Sequence, residues 1–197
     1  MSDNSQTKDT SCGYDSVSQQ FIDIRSDSGR NRVRTWATSL PRGSSIIDIG
    51  AGSGIPLTEV LIAAGLDAYA LDASPKMVSA FQDNFPDTPI ICDAVESSPF
   101  YDRSFDAALM VGVIFLLSED TQRLVLQRIG AALNPQGRLL FSAPHQIHTW
   151  NDNLTSQTSH SLGREAYIDT LQKSGLRLTA EHTDEGGSHY YEAVKRG

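Results

Sequence analysis

Three glycines at alternate positions, Gly50, Gly52 and Gly54, stand between the apolar run Ile46-Ile47-Asp48-Ile49 and a segment with helical spacing. A short unbroken apolar run suits a parallel strand buried on both faces. The segment beyond carries Leu57, Val60, Leu61 and Ala64 on one face, with Pro56 near its first position and Gly65 just past its end, the asymmetry expected of a helix. A turn from strand to helix without Cβ atoms lets backbone approach a ligand closely and aims helix-start N–H groups at its anionic end. This unit directs the chain toward open α/β architectures.

The unit then repeats. Residues 67–72 form a second apolar run, Ser74-Pro75 cap and start a helix carrying Met77, Val78 and Phe81, and Pro89-Ile90-Ile91-Cys92 reads as a third strand. Residues 105–111 supply a fourth strand. Ser118 caps a helix with Leu126, Ile129 and Leu133 on one face, and the turn Asn134-Pro135-Gln136-Gly137 leads to a fifth strand over 138–143. A polar stretch over 144–161 reads as irregular; a helix over 164–173 ends at Gly175, and two strands flank the turn Asp184-Glu185-Gly186-Gly187. Strands alternating with helices predict a three-layer α/β sandwich, and the closing hairpin predicts an antiparallel last strand. Ahead of the core, residues 14–40 read as one or two helices broken near Ser28-Gly29, a lid and not a second domain. Residues 1–12 are expected to be a disordered tail and 13–197 a single domain.

At 197 residues the chain can bury an adequate core without a metal or disulfide, and no metal site is expected. No apolar stretch reaches a membrane span and the polar start lacks the order of a secretory signal, so a cytoplasmic protein without membrane contact is expected. Only two cysteines, Cys12 and Cys92, fit a reducing compartment. A net charge of −8 opposes binding to nucleic acid. Against that balance, Arg25, Arg30, Arg32 and Arg34 cluster within ten residues, either a solvated helix face or a handle for an acidic ligand.

In open α/β sheets ligands bind beyond the carboxyl ends of the strands. Asp48, Asp72 and Asp93 lie at or near the ends of the first three strands, around the glycine turn. Such a set suits a ligand with a ribose, an amino-substituted base and a positive charge. A nicotinamide dinucleotide fold would place a third glycine three residues after the second, where Ile55 stands.

Asp48-x-Gly50-x-Gly52-x-Gly54 resembles the first motif of the class I S-adenosylmethionine-dependent methyltransferases, and Leu71-Asp72-Ala73-Ser74 the second. Cys92-Asp93-Ala94 is similar to the adenine-side motif and Phe105-Asp106-Ala107-Ala108 to the fourth strand. Leu133-Asn134-Pro135-Gln136-Gly137-Arg138 resembles the turn into the fifth strand, with Gln136 where many members carry a second glycine. Ser161-Leu162-Gly163 and the segment from Asp184 to Tyr191 look like a subgroup of bacterial small-molecule members whose acceptors are unassigned.

The resemblance implies a Rossmann-like seven-stranded sheet of order 3-2-1-4-5-7-6 with strand 7 antiparallel. It implies S-adenosyl-L-methionine as cofactor and S-adenosyl-L-homocysteine as product. Gly50, Ala51 and Gly52 would face the methionine portion with Asp48 near its amino group. Asp72 and Ala73 would hold the ribose, Asp93 and Ala94 the adenine, with Val111 beside them; Met77 either packs on the adenine or lies in the core. The acceptor would be a small molecule whose oxygen or nitrogen attacks the methyl; amino methylation of the kind seen in nucleobase and glutamine enzymes is disfavoured, since no Asp/Asn-Pro-Pro-aromatic sequence follows the fourth strand, where Met110-Val111-Gly112-Val113 stands. Tyr14, Phe21, Val113, Phe115, Trp150, His189 and Tyr190 would wall its pocket. A base, where one is needed, would be His145 or His148, in the loop that also holds Asp152. A cofactor-binding sensor or partner protein that has lost catalysis is the alternative, and the chain would act as monomer or homodimer.

Overall fold

Every residue of Ser45–Ile49 is buried, as a strand covered by helices on both faces must be. It is β1 of a computed structural model that describes residues 9–197. Before it come α1 (Ser18–Ile24) and α2 (Arg30–Ala37); after it follow α3 (Leu57–Ala63), β2 (Asp67–Asp72), α4 (Pro75–Asn84), β3 (Ile90–Cys92), β4 (Phe105–Met110), α5 (Glu119–Ala132) and β5 (Leu133–Ser142). The chain closes with β6 (Ile147–Asn151), β7 (Thr158–Leu162), α6 (Arg164–Lys173), β8 (Leu176–Thr183) and β9 (His189–Lys195).

Seven strands form one sheet in the order β3-β2-β1-β4-β5-β9-β8. The first five pair in parallel, and β9 runs antiparallel to both β5 and β8. This is the expected Rossmann-like sheet with a reversed seventh strand; β8 and β9 occupy the places of strands 6 and 7 because a two-stranded hairpin intervenes. Side chains alternate between the two faces with period 2. Ile47, Ile49, Leu139 and Phe141 pack against Leu126 and Ile129 of α5 and Tyr167 and Leu171 of α6. Ile46, Leu109 and Leu140 face Val33 and Trp36 of α2 and Val60 and Leu61 of α3.

The hairpin corrects the expectation of an irregular loop over 144–161. β6 and β7 pair antiparallel as a separate two-stranded sheet. Their residues are mostly polar, so no apolar alternation marks them. Asp152 instead sets the turn: its Oδ1 accepts from Leu154 N at 3.0 Å, Thr155 N at 2.8 Å and Thr155 Oγ1 at 3.0 Å. Gln122 of α5, fully buried, ties the hairpin to the body: its Nε2 donates to His160 O at 2.8 Å and to Leu117 O at 3.0 Å. Its Oε1 accepts from Tyr167 Oη at 2.7 Å.

Of the tail expected over 1–12, residues 1–8 lie outside the described residues, whereas 9–12 form an ordered turn. Asp9 accepts from Ser11 N at 2.9 Å and Gly13 N at 3.0 Å, and Ser11 is buried. The break expected near Ser28-Gly29 is present, with Gly29 left-handed at the start of α2. Among the described residues no helix is long and apolar enough to cross a membrane.

Candidate functional site

A cleft of about 610 Å³ opens over the carboxyl ends of β1, β2, β3 and β4, within the range of small-ligand sites. The glycine turn forms its floor. Gly50 N and Ala51 N both donate to Leu71 O, at 2.7 and 3.1 Å, which pins the turn to β2. The three glycines serve different ends. A Cβ on Gly50 would collide with Val113, and one on Gly54 with the rings of Phe85 and Phe81. A Cβ on Gly52 would meet nothing closer than Met77 Sδ and Phe21 Cε1, both at 4.0 Å, so its missing side chain leaves room in the cleft itself. The N-terminus of α3 was the expected anion contact, but no residue of that helix lines the cleft. The turn's own backbone occupies that position.

The strand-end acids divide. Asp72 lines the cleft; its Oδ2 accepts from Gly52 N and its Oδ1 from Ser74 N, both at 2.8 Å. Burial raises its pKa, and these N–H groups oppose the rise. Asp93 also lines the cleft, its Oδ1 accepting from Ala94 N at 2.8 Å and Ser97 Oγ at 3.1 Å. Asp48 does not line it. Strand parity puts its side chain on the face of Ile46, beneath the turn, where Thr58 Oγ1 donates to Oδ2 at 2.7 Å. Burial there pushes its pKa up to about 6. Of the other positions expected near a cofactor, Gly50, Gly52, Ala73, Met77 and Val111 line the cleft, while Ala51 and Ala94 do not.

Aromatic side chains also line the cleft. Tyr14 and Phe21 meet edge to face with ring centroids 5.4 Å apart, and Phe115 and Trp150 lie 5.5 Å apart. With Val113 and Tyr190 they all line the cleft, as expected. Tyr190 is buried, and its hydroxyl donates to Asp184 Oδ2 at 3.1 Å. His145 and His189 line the cleft with ring centroids 5.1 Å apart, and His189 Nε2 lies 3.2 Å from Glu181 Oε2. His148 is exposed, stacks on Trp150 at 5.5 Å and does not line the cleft.

The arginine cluster does not form one patch. Arg30 pairs with Glu59 at 2.7 Å, Arg34 donates to Asn31 at 2.8 Å, and only Arg25 reaches the cleft. The Arg25 Nη1 donates to Ser26 O at 2.8 Å, and burial lowers its pKa while Tyr190, Asp27, Asp184 and Asp48 oppose the change. Glu96 and Asp184 also line the cleft. Nothing local in sequence singles out these last residues; only the folded chain brings them to the cleft.

A cleft over the carboxyl ends of a parallel sheet, closed at one side by a reversed strand between two neighbours, is the class I methyltransferase architecture. Residues 47–141, which carry the glycine turn, Asp72 and Asp93, match the family model described as methyltransferase domain. An uncharacterised methyltransferase of Mycobacterium tuberculosis is 33% identical over 94 residues, 48% of this chain and 37% of that protein. Human probable tRNA methyltransferase 9B is 27% identical over 157 residues, 73% of this chain and 33% of that protein. The chain thus spans about a third of the length of these relatives. Among solved structures, magnesium protoporphyrin IX methyltransferase from Synechocystis PCC 6803 with bound S-adenosylmethionine superposes with a TM-score of 0.69 at 17% identity, over 99% of this chain and 86% of that one. At that identity the likeness is one of fold.

Proposed function

We propose that this chain binds S-adenosyl-L-methionine in the cleft and transfers its methyl group to an oxygen or nitrogen of a small acceptor, leaving S-adenosyl-L-homocysteine. The observation that carries this reading is the junction of Gly52 with Asp72. One carboxylate oxygen holds the glycine turn, the other the start of α4, and the carboxylate keeps acceptor capacity for a ribose hydroxyl. The space at Gly52 would take the cofactor beside Met77. Asp93 would address the adenine amine. Arg25, the one guanidinium among the described residues lining the cleft, would meet the methionyl carboxylate. Asp48, bonded to Thr58 beneath the turn, would act by stiffening the loop.

The cofactor supplies a methyl already activated on a sulfonium, so the chain's part is to orient the acceptor and exclude water. The segment over 9–25 and the β6–β7 hairpin would do both as covers of the cleft. For an acceptor that must lose a proton, His145 and His189 are the bases at the end of the sheet. With its proton on Nε2 toward Glu181, His189 keeps its Nδ1 lone pair for that role. His148 would support Trp150 instead. A net charge of −8 and a cleft rich in carboxylates favour a small molecule over a polynucleotide acceptor.

Calorimetry with S-adenosylhomocysteine and with a nicotinamide dinucleotide tests the cofactor; tighter binding of the dinucleotide would sink the assignment. Turnover over a library of phenols, amines and acids, read as release of S-adenosylhomocysteine, then separates an enzyme from a non-catalytic cofactor binder.

A further inference from the structure

We propose that the acceptor is a flat aromatic molecule bearing a positive charge, seated between the aromatic rings of the cleft and the carboxylate of Asp152. The inference rests on the methyltransferase reading above and names its substrate class. Phe115 and Trp150 pack on each other with ring centroids 5.5 Å apart, and both line the cleft, as do Tyr14 and Phe21. Such a site takes planar rings, and aromatic faces attract cations through their quadrupoles.

Charge decides which planar rings. Among the described residues lining the cleft are five carboxylates, of Asp72, Asp93, Glu96, Asp152 and Asp184, against one guanidinium, Arg25. Asp72 and Asp93 belong to the cofactor side in that reading, and the Arg25 guanidinium donates to Ser26 O and Ser28 O. His145 and His189 are cations only when protonated. Carboxylates thus outnumber permanent positive charges in the cleft lining, which disfavours an acidic acceptor. Asp152 stands two residues from Trp150, and its Oδ1 is saturated by the turn it closes. Among the described residues its Oδ2 accepts only Tyr14 Oη, at 3.1 Å, and retains a lone pair beside the aromatic rings. Hydrogen bonds from Thr155 and Leu154 outweigh burial and keep this carboxyl ionised. An anionic ring would enter a half-enclosed site of its own sign, in a protein that is itself acidic.

The test uses three two-ring probes of similar size on protein saturated with S-adenosylhomocysteine: 4-aminoquinoline as the cation, 2-naphthol as the neutral ring and 2-naphthoate as the anion. Calorimetry should show the cation binding at least about tenfold tighter than the anion. Asp152→Asn, which keeps an acceptor for the Leu154 and Thr155 N–H groups, should remove most of that preference and leave 2-naphthol unchanged. Trp150→Leu should weaken all three probes. Equal or tighter binding of 2-naphthoate, a preference that survives Asp152→Asn, or no binding of any ring to the loaded protein overturns the proposal. Failure of S-adenosylhomocysteine to bind at all would instead overturn the methyltransferase reading beneath it.

Discussion

The hydroxyl of Tyr14 donates to Asp152 Oδ2 at 3.1 Å, joining the segment ahead of α1 to the turn of the β6–β7 hairpin. The next residue is anchored on the opposite side of the cleft: Asp15 Oδ1 accepts from Ser74 Oγ at 2.7 Å and Lys76 N at 3.0 Å at the start of α4. Two adjacent residues, Tyr14 and Asp15, thus fasten the strap 9–25 to both sides of the cleft. Tyr14→Phe removes one fastening and keeps the ring, so it should loosen the strap by about 1 kcal/mol, the scale of a partly exposed hydrogen bond. Hydrogen exchange should quicken over 9–25 and over the hairpin turn, with the sheet unchanged. Unaltered exchange there would mean that packing of Tyr14 on Phe21, and not the bond, holds the strap.

Asp72→Ala should weaken binding of S-adenosylhomocysteine by about 1.5–3 kcal/mol, the range for hydrogen bonds to a charged group. The loss has two sources, the ribose contacts and the freed N–H of Gly52, which no longer holds the turn in place. Because Asp72 sits at a strand end and not in either core cluster, the far-ultraviolet spectrum should be preserved. Titration calorimetry showing undiminished affinity would refute the ribose role.

Arg25→Gln separates the two ends of the cofactor. If the guanidinium meets the methionyl carboxylate, affinity for S-adenosylhomocysteine should fall roughly tenfold or more, as for a lost charge-assisted bond. Adenosine has no carboxylate and should bind wild type and variant alike. An equal loss for both ligands would show that Arg25 shapes the cleft through its bonds to Ser26 and Ser28 instead.

Asp48 carries a pH dependence whose sign follows from its burial. Its folded pKa, about 6, stands above the usual carboxylate value of 3.8, so the folded chain holds the proton more tightly than the unfolded chain. Stability therefore falls as pH rises through that interval, and the whole cost is present above pH 6. Asp48→Asn keeps an acceptor for Thr58 without the charge. Urea unfolding should find the variant equal to wild type near pH 4 and more stable by up to about 3 kcal/mol at pH 7, since each tenfold change in proton affinity is worth roughly 1.4 kcal/mol. A variant less stable than wild type at pH 7 would mean that the Asp48 charge is held by Arg25 more firmly than burial penalises it.

Local chemistry explains what could be read from the chain alone. The strand–turn–helix at Gly50 to Gly54 needs only a buried apolar run, a turn free of Cβ atoms and a helix start. The succession of the first five strands along the chain and the strand-end positions of Asp72 and Asp93 follow from periodicity, which is written within a few neighbouring residues, whereas their order in the sheet was implied by the family resemblance. The helix over 164–173 was legible to the residue for the same reason, with Gly175 beyond it.

The tertiary structure alone decided the rest, because the partners are far apart in sequence or carry no periodic signal. The direction of Asp48 depends on which face α3 covers, since strand parity offers two equivalent sides. The β6–β7 hairpin, polar on both strands, exists as a pair held by Gln122 and by the turn at Asp152, and neither contact shows as a pattern. Four nearby arginines looked alike, and the chain sent one into the cleft and paired another with Glu59. The part of the cleft proposed for the acceptor is lined by Tyr14, Phe115, Trp150 and His189, which the strap, the β6–β7 hairpin and the sheet bring together from distant parts of the chain. Such long-range contacts are selected by the packing of whole elements, and a linear sequence records that packing only in sum.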